Sequence, residues 1–147
     1  MKKLALTDFA KYRYPSALEL SPDGRYLTFA LKEVDREGDG YRWNLWLYDL
    51  ESRESRQITR GDDQRKAVWE DNTHILYKTT ELDEAMRARG FEEEWTVYHR
   101  LNVCTGEERE AFRLPMSVSG LWKMDEGRYV FTGETHLDRP NLLELTG

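Results

Sequence analysis

A strand–turn–strand pattern occurs three times along the chain and constrains its fold more than any other feature. Each copy has a short apolar stretch, a turn that carries aspartate, and a second apolar stretch typical of a strand. The aspartates are Asp23, Asp71 and Asp125, so the copies are 48 and 54 residues apart. In the first copy the turn reads SPDG, with proline second and glycine fourth, which is typical of a type I turn.

The units also resemble one another after this pattern. A third strand is predicted to begin at Trp43 in the first unit and at Trp95 in the second. Fourth strands are predicted at 56–59 and 109–114, and the third unit begins a third strand at 141–145. Four short antiparallel strands in roughly 50 residues indicate the blade of a β-propeller.

The third strand of the first unit is apolar on both of its faces. In NLWLYDL, Leu45 and Leu47 point to one side, while Trp46 and Tyr48 point to the other. A sheet with one solvated face would alternate apolar and polar residues. Burial of both faces fits a sheet packed between two neighbours. We therefore predict an all-β chain that forms an incomplete β-propeller of about two and a half four-stranded antiparallel blades.

The repeat also predicts the organisation of the chain. We expect an N-terminal segment at 1–16, a first blade at 17–61, a second blade at 62–114 and a partial third blade at 115–147. Helix is expected only in a short turn that ends at Pro15 and in the segment 81–90, with Gly90 as its stop. Propellers typically close with about four to eight blades. The chain is therefore expected to be a fragment of a longer protein, or to close by self-association through its open blade edge.

Composition argues against several classes of partner. The net charge of −6 and the lack of a Lys/Arg-rich run argue against nucleic acid, which needs a basic face. A single cysteine, Cys104, excludes an internal disulfide. The apolar run near the N-terminus is shorter than the roughly 7–15 residues of a secretory signal. No stretch approaches the ~20 apolar residues of a membrane span. We expect a soluble cytoplasmic protein without membrane contact.

The sequence contains no recognised catalytic or metal-binding motif. A Gly-x-Ser-x-Gly elbow is absent, because the residue two before Ser119 is Ser117 rather than glycine. We interpret both serines as polar strand or turn positions. Packed or rim positions are expected for the histidines His74, His99 and His136. His-Glu-x-x-His, paired cysteines and a glycine-rich phosphate loop do not occur. The sequence therefore predicts no catalytic residues, no metal and no cofactor.

The first unit resembles the first propeller blade of the prolyl oligopeptidase family of serine peptidases. The matching motifs are SPDGR at 21–25, LWLYD at 45–49 and QIT at 57–59. The acylaminoacyl-peptidase-like and dipeptidyl-peptidase-like branches are the most similar, and the resemblance extends from about Leu6 onwards. It implies a propeller that caps a C-terminal α/β-hydrolase domain and admits only small peptides. Because the Ser, Asp and His of that domain have no counterpart here, the chain is expected to be inactive alone.

A run of three glutamates precedes the strand at Trp95. In the dipeptidyl-peptidase branch, two propeller glutamates bind the free amino terminus of the substrate, and the resemblance implies this role for Glu92 and Glu93. Two carboxylates around one ammonium group form charge-assisted hydrogen bonds that fix where the peptide starts. The alternative is a solvated acidic loop.

Two other functions are compatible with the repeat. The chain could belong to a TolB-like or other non-enzymatic propeller that serves as a protein-binding scaffold. It could also be a self-sufficient small protein that closes a ring from several copies. The coding sequence after Gly147 discriminates between these possibilities, because only the peptidase requires a hydrolase domain.

Overall fold

The computed structural model describes residues 8, 11–35, 37–90, 94–125 and 127–134. These residues form three antiparallel sheets in which each strand pairs with the next in the chain. The first sheet contains β1 (Tyr14–Leu20), β2 (Tyr26–Asp35), β3 (Gly40–Asp49) and β4 (Glu54–Gln57). The second contains β5 (Val68–Trp69), β6 (His74–Leu82), β7 (Glu94–Asn102) and β8 (Glu108–Leu114). The third contains β9 (Ser117–Lys123) and β10 (Tyr129–Glu134), and the helix α1 (Glu84–Arg87) lies between β6 and β7.

Two of the three aligned aspartates, Asp23 and Asp71, accept backbone N–H groups in their turns. Asp23 accepts a hydrogen bond from the Arg25 backbone N–H at 3.1 Å, and Gly24 has the positive φ of +73° that glycine adopts without strain. Asp71 accepts the backbone N–H groups of Thr73 and His74 at 2.8 and 2.7 Å. These bonds are local, which is why the turns could be predicted from sequence.

The turns between the third and fourth strands repeat in the same way. The Asp49 carboxylate accepts the Glu51 backbone N–H at 2.9 Å, and the Asn102 amide oxygen accepts the Cys104 backbone N–H at 2.9 Å. Both are Asx-type turns, in which a short side chain replaces a backbone acceptor. The repeat therefore extends from strand order to individual hydrogen bonds.

The second sheet is buried on both faces, as a sheet between two neighbours should be. Ile75 packs into a core shared with the first sheet, and the next residue, Leu76, packs into a core shared with the third. The first core consists of Ala30, Leu45, Leu47, Ala67, Trp69, Ile75, Tyr77, Leu101 and Val103. The second consists of Leu76, Tyr98, Met116, Val118 and Leu121. Successive residues of a strand point to opposite faces, so β6 contributes to both.

The opening strands of the three sheets lie side by side. β5 contacts both β1 and β9, and the Trp69 indole N–H donates to the Glu19 carbonyl oxygen at 3.1 Å. The sheets therefore converge at their first strands, as sheets arranged around a central axis do. Within the described ranges, no helix has the length and apolar character that crossing a membrane requires.

The outer face of the first sheet is apolar but much less buried than its inner face. Leu45 is fully buried on the inner face, whereas Leu18 and Leu20 on the outer face are 59% and 57% exposed. Trp46 and Tyr48, which were predicted to face away from Leu45, are half-buried. Both faces of β3 are thus apolar, and only the inner one meets another described sheet.

Two local predictions need correction. The predicted helical turn ending at Pro15 is wrong at its end, because Pro15 lies within β1; this is an edge strand, where proline is tolerated. The helix predicted over 81–90 is shorter, because β6 continues to Leu82 and α1 begins only after Asp83. Gly90 has a positive φ of +84°, in agreement with its predicted role as the stop.

Candidate functional site

A cluster of hydrogen-bonded charged groups lies where the second sheet meets the third. Its centre is Glu70, which follows β5 and is only 9% exposed. The Arg100 guanidinium donates two hydrogen bonds to the Glu70 carboxylate, one of them from Nη2 to Oε1 at 2.6 Å. The Tyr129 hydroxyl donates to the same Oε1, and the Lys123 ammonium donates to the Glu70 carbonyl oxygen. Side chains from β7, β9 and β10 thus meet at one residue.

The partners of Glu70 determine its charge. Burial opposes ionisation, but the hydrogen bonds from Arg100 and Tyr129 outweigh it and lower the pKa of Glu70. The bond to Glu70 in turn raises the pKa of Arg100, although burial acts against this. Burial, with help from the Glu70 carboxylate, raises the pKa of Tyr129 to about 12. At neutral pH the cluster is therefore an ion pair with a neutral hydroxyl donor.

A cleft of about 380 Å³ opens beside this cluster. Asp71, His74 and Arg109 also line it. Arg109 in β8 pairs directly with Arg100 in β7, so the two guanidinium groups start from opposite positions of neighbouring strands. In the part of the chain that the structure describes, Arg109 forms no ion pair.

Asp71 and His74 form one wall of the cleft. The His74 Nδ1 lies 3.0 Å from the Asp71 carboxylate. Burial acts to raise the pKa of Asp71, but hydrogen bonds from the Thr73 and His74 backbone N–H groups and from the His74 ring lower it from 3.8 to about 2. Asp71 is therefore ionised throughout the neutral and mildly acidic range.

Asp71→Asn is expected to make the free energy of unfolding depend less steeply on pH under acidic conditions. A lowered pKa in the folded chain means that the stabilisation is complete above the ordinary value of 3.8 and is lost as pH falls towards about 2. Urea unfolding of both proteins over this range measures the difference. The variant should lose less stability than the wild type on acidification, and equal slopes would contradict the assignment.

Among the predicted positions that the structure describes, His74 lines this cleft and the others do not. Glu92, Glu93 and His136 lie outside the described residues. Ser117 and Ser119 lie in β9, and the Ser119 hydroxyl is 2.9 Å from that of Thr132. His99 stacks on Tyr77 with ring centroids 5.3 Å apart. Across the described ranges, no serine hydroxyl is hydrogen-bonded to an imidazole, and no group of three or more His, Cys, Asp or Glu side chains is arranged to hold a metal ion.

The cluster at Glu70 was not predicted from the sequence. Arg100 and Tyr129 are 30 and 59 residues away from Glu70, so nothing local indicates the contact. One signal was available in the repeat. The residue before the turn aspartate is uncharged in the first and third units, where it is Pro22 and Met124. In the second unit it is Glu70, which carries a carboxylate.

Comparisons with known proteins identify the fold. No protein-family model matches the chain, and no curated protein matches it. The chain is similar to the β-propeller domain of the Trilobed protease from Pyrococcus furiosus, with 14% identity and a TM-score of 0.58, covering 84% of this chain and 34% of that one. It is also similar to an acylaminoacyl peptidase from Pyrococcus horikoshii, with 12% identity and a TM-score of 0.65, covering 90% of this chain and 19% of that one.

These similarities confirm the predicted fold class. The described sheets are those of an incomplete β-propeller, with two four-stranded sheets and one two-stranded sheet. The chain spans about a third of one solved protein and about a fifth of the other.

Proposed function

We propose that this chain is the propeller part of a cytoplasmic serine peptidase of the prolyl oligopeptidase family, where it covers the active site and filters peptide substrates. The observation that carries the proposal is the similarity of 90% of the chain to part of an acylaminoacyl peptidase. The motifs SPDGR, LWLYD and QIT support it, because the structure has them at the first turn, in β3 and at the end of β4.

The filter would act by steric exclusion. Sheets that share buried cores on both faces form stiff walls, and the second sheet is packed in this way. The opening strands β1, β5 and β9 lie side by side, where the axis of a complete ring would pass. An extended peptide passes through a narrow opening of this kind, whereas a folded protein does not.

The coding sequence around codons 1–147 tests the proposal. It should encode a Gly-x-Ser-x-Gly elbow in a strand–turn–helix context, followed by an aspartate and a histidine. The purified 147-residue chain should not hydrolyse aminoacyl or dipeptidyl p-nitroanilides, and a serine-reactive fluorophosphonate should not label it. Labelling together with hydrolysis, or a gene that encodes propeller sheets alone, would contradict the proposal.

Within the same proposal, Glu92 and Glu93 receive the free amino group of the substrate. They lie in the connection between α1 and β7, close in sequence to the start of that strand at Glu94. In the whole enzyme, the double variant Glu92→Gln, Glu93→Gln should raise KM for a dipeptide amide with a free amino group and leave KM for its acetylated form unchanged. An unchanged KM for both substrates would assign the glutamates to the solvated acidic loop instead, and an equal rise for both would contradict recognition of the amino group.

A non-enzymatic, TolB-like propeller that binds other proteins is the second candidate. The exposed Leu18 and Leu20 on the outer face of the first sheet favour it, because contiguous apolar surface of this kind often marks a protein contact. It predicts further sheets and no hydrolase domain in the gene. Self-association through the same face would appear as a concentration-dependent mass in solution.

A further inference from the structure

We propose that the cleft beside Glu70 binds a carboxylate group of a small molecule or of a peptide. This inference goes beyond the proposed role of the propeller and does not depend on it. It rests on the charges that line the cleft, on the geometry of two arginines and on the rigidity of the cleft floor.

The cleft carries positive charge on an acidic chain. Among the described residues, Arg100, Arg109 and Lys123 line it together with two carboxylates, Glu70 and Asp71, and the chain as a whole has a net charge of −6. The arginine, lysine and carboxylate side chains in this described lining sum to an excess of one positive charge. One singly charged anion therefore neutralises it.

The two arginines explain where the anion would bind. Residues directly opposite each other in an antiparallel pair lie about 4.5–5.5 Å apart at their Cβ atoms, and like charges there are destabilising. Glu70 occupies Nε and Nη2 of Arg100 and so leaves Nη1 of that guanidinium. Arg109 lines the same cleft, and within the described ranges no carboxylate pairs with its guanidinium. An anion between Nη1 of Arg100 and Arg109 would relieve the repulsion.

Hydrogen bonds hold the cleft floor, which consists of Glu70 and its partners Arg100, Tyr129 and Lys123, in place before any ligand binds. Arg100 is bonded to the buried Glu70, Tyr129 donates to the same carboxylate, and Lys123 donates to the Glu70 carbonyl oxygen. Binding to the held guanidinium of Arg100 costs less conformational entropy than binding to a mobile surface side chain.

A carboxylate fits this cleft better than a phosphate. The guanidinium fork matches both groups geometrically. However, the excess of one positive charge is satisfied by a monoanion, and the ionised Asp71 in the wall repels a second negative charge. The same repulsion makes binding sensitive to the total charge of the ligand.

Titrations of the full chain, followed by ¹H–¹⁵N NMR, test the proposal. Acetyl-Ala-Ala should shift the resonances of Asp71, Arg100 and Arg109, whereas its C-terminal amide should not. Acetate as a further probe shows whether a carboxylate alone suffices or the peptide contributes. Arg109→Gln should weaken binding of the acid by about tenfold or more, the loss expected for one charge-assisted partner.

Arg113→Gln is the matched control, because Arg113 in the same strand is already held by Glu110 and Glu81. It should bind the acid like the wild type. Arg109 is exposed, so its variant should keep the wild-type fold, which circular dichroism verifies.

Equal binding of the acid and the amide, or unchanged binding by the Arg109 variant, would overturn the proposal. Tighter binding of inorganic phosphate with the same dependence on Arg109 would overturn the assignment to a carboxylate.

Discussion

Replacing Glu70 by glutamine is expected to lower the free energy of unfolding by about 2–3 kcal/mol. The change keeps the shape of the side chain but removes the charge to which Arg100 and Tyr129 donate hydrogen bonds. Arg100 would be left without its counter-ion at 31% side-chain exposure. We expect less than the roughly 3–5 kcal/mol lost on breaking a fully buried pair, because water reaches part of the guanidinium. Urea unfolding measures the difference.

Glu110→Gln is the matched control for this prediction. Glu110 forms a two-fold hydrogen bond with Arg113, but the pair lies on the exposed surface of β8, where ion pairs contribute little. We expect no measurable change in stability. If the two variants lost the same amount of stability, the ion pair at Glu70 would contribute no more to stability than an exposed ion pair.

The free energy of unfolding that the Glu70→Gln variant loses should also depend on pH. The pKa of Glu70 is lowered in the folded chain, so its stabilisation is complete above the ordinary carboxyl value of 4.5 and is lost as pH falls below it. The wild type and the Glu70→Gln variant should therefore converge in stability under acid. If the two free energies of unfolding differed by the same amount down to the lowest pH, the shape of the Glu70 side chain rather than its charge would be responsible for the stabilisation.

Leu45→Ala is expected to lower the free energy of unfolding by about 3 kcal/mol. Leu45 is fully buried between the first and second sheets, and its truncation leaves a cavity that the β-strand backbone cannot collapse to fill. Thermal or urea unfolding at one protein concentration measures the effect.

Leu18→Ala is the control on the opposite face of the same sheet. Leu18 is 59% exposed, so the change should alter stability by no more than about 0.5 kcal/mol. A loss comparable with that of Leu45→Ala would contradict the exposed position. It would mean that the outer face is covered in solution, and sedimentation of the chain would then show an oligomer.

The fold could be predicted from the sequence because its signals are local. The turn at Asp23 and the turn at Asp71 are stabilised by hydrogen bonds that reach only two or three residues ahead. The apolar run of β3 likewise indicates a strand with two apolar faces, because a strand with one solvated face would alternate apolar and polar residues. The prediction failed at Pro15, where the pairing with β2 decides the structure and the proline lies on an edge strand.

The candidate site could not be predicted, for the opposite reason. Its members, Glu70, Arg100 and Tyr129, belong to two different sheets or their turns and meet only when those sheets pack. Each residue alone has the appearance of an ordinary surface residue. The expected role of Glu92 and Glu93 stays a prediction, because they lie outside the described residues.

The position of β6 between two cores has a consequence for cooperativity. Ile75 and Leu76 are adjacent in sequence, yet each stabilises the packing of a different neighbouring sheet. Loss of the second sheet removes both interfaces at once, whereas loss of the third removes only one. In a nearest-neighbour description of such an array, unfolding is expected to begin at the outer sheets and reach the second one last. Its central strands then report the global stability of the chain, and the outer strands report local opening.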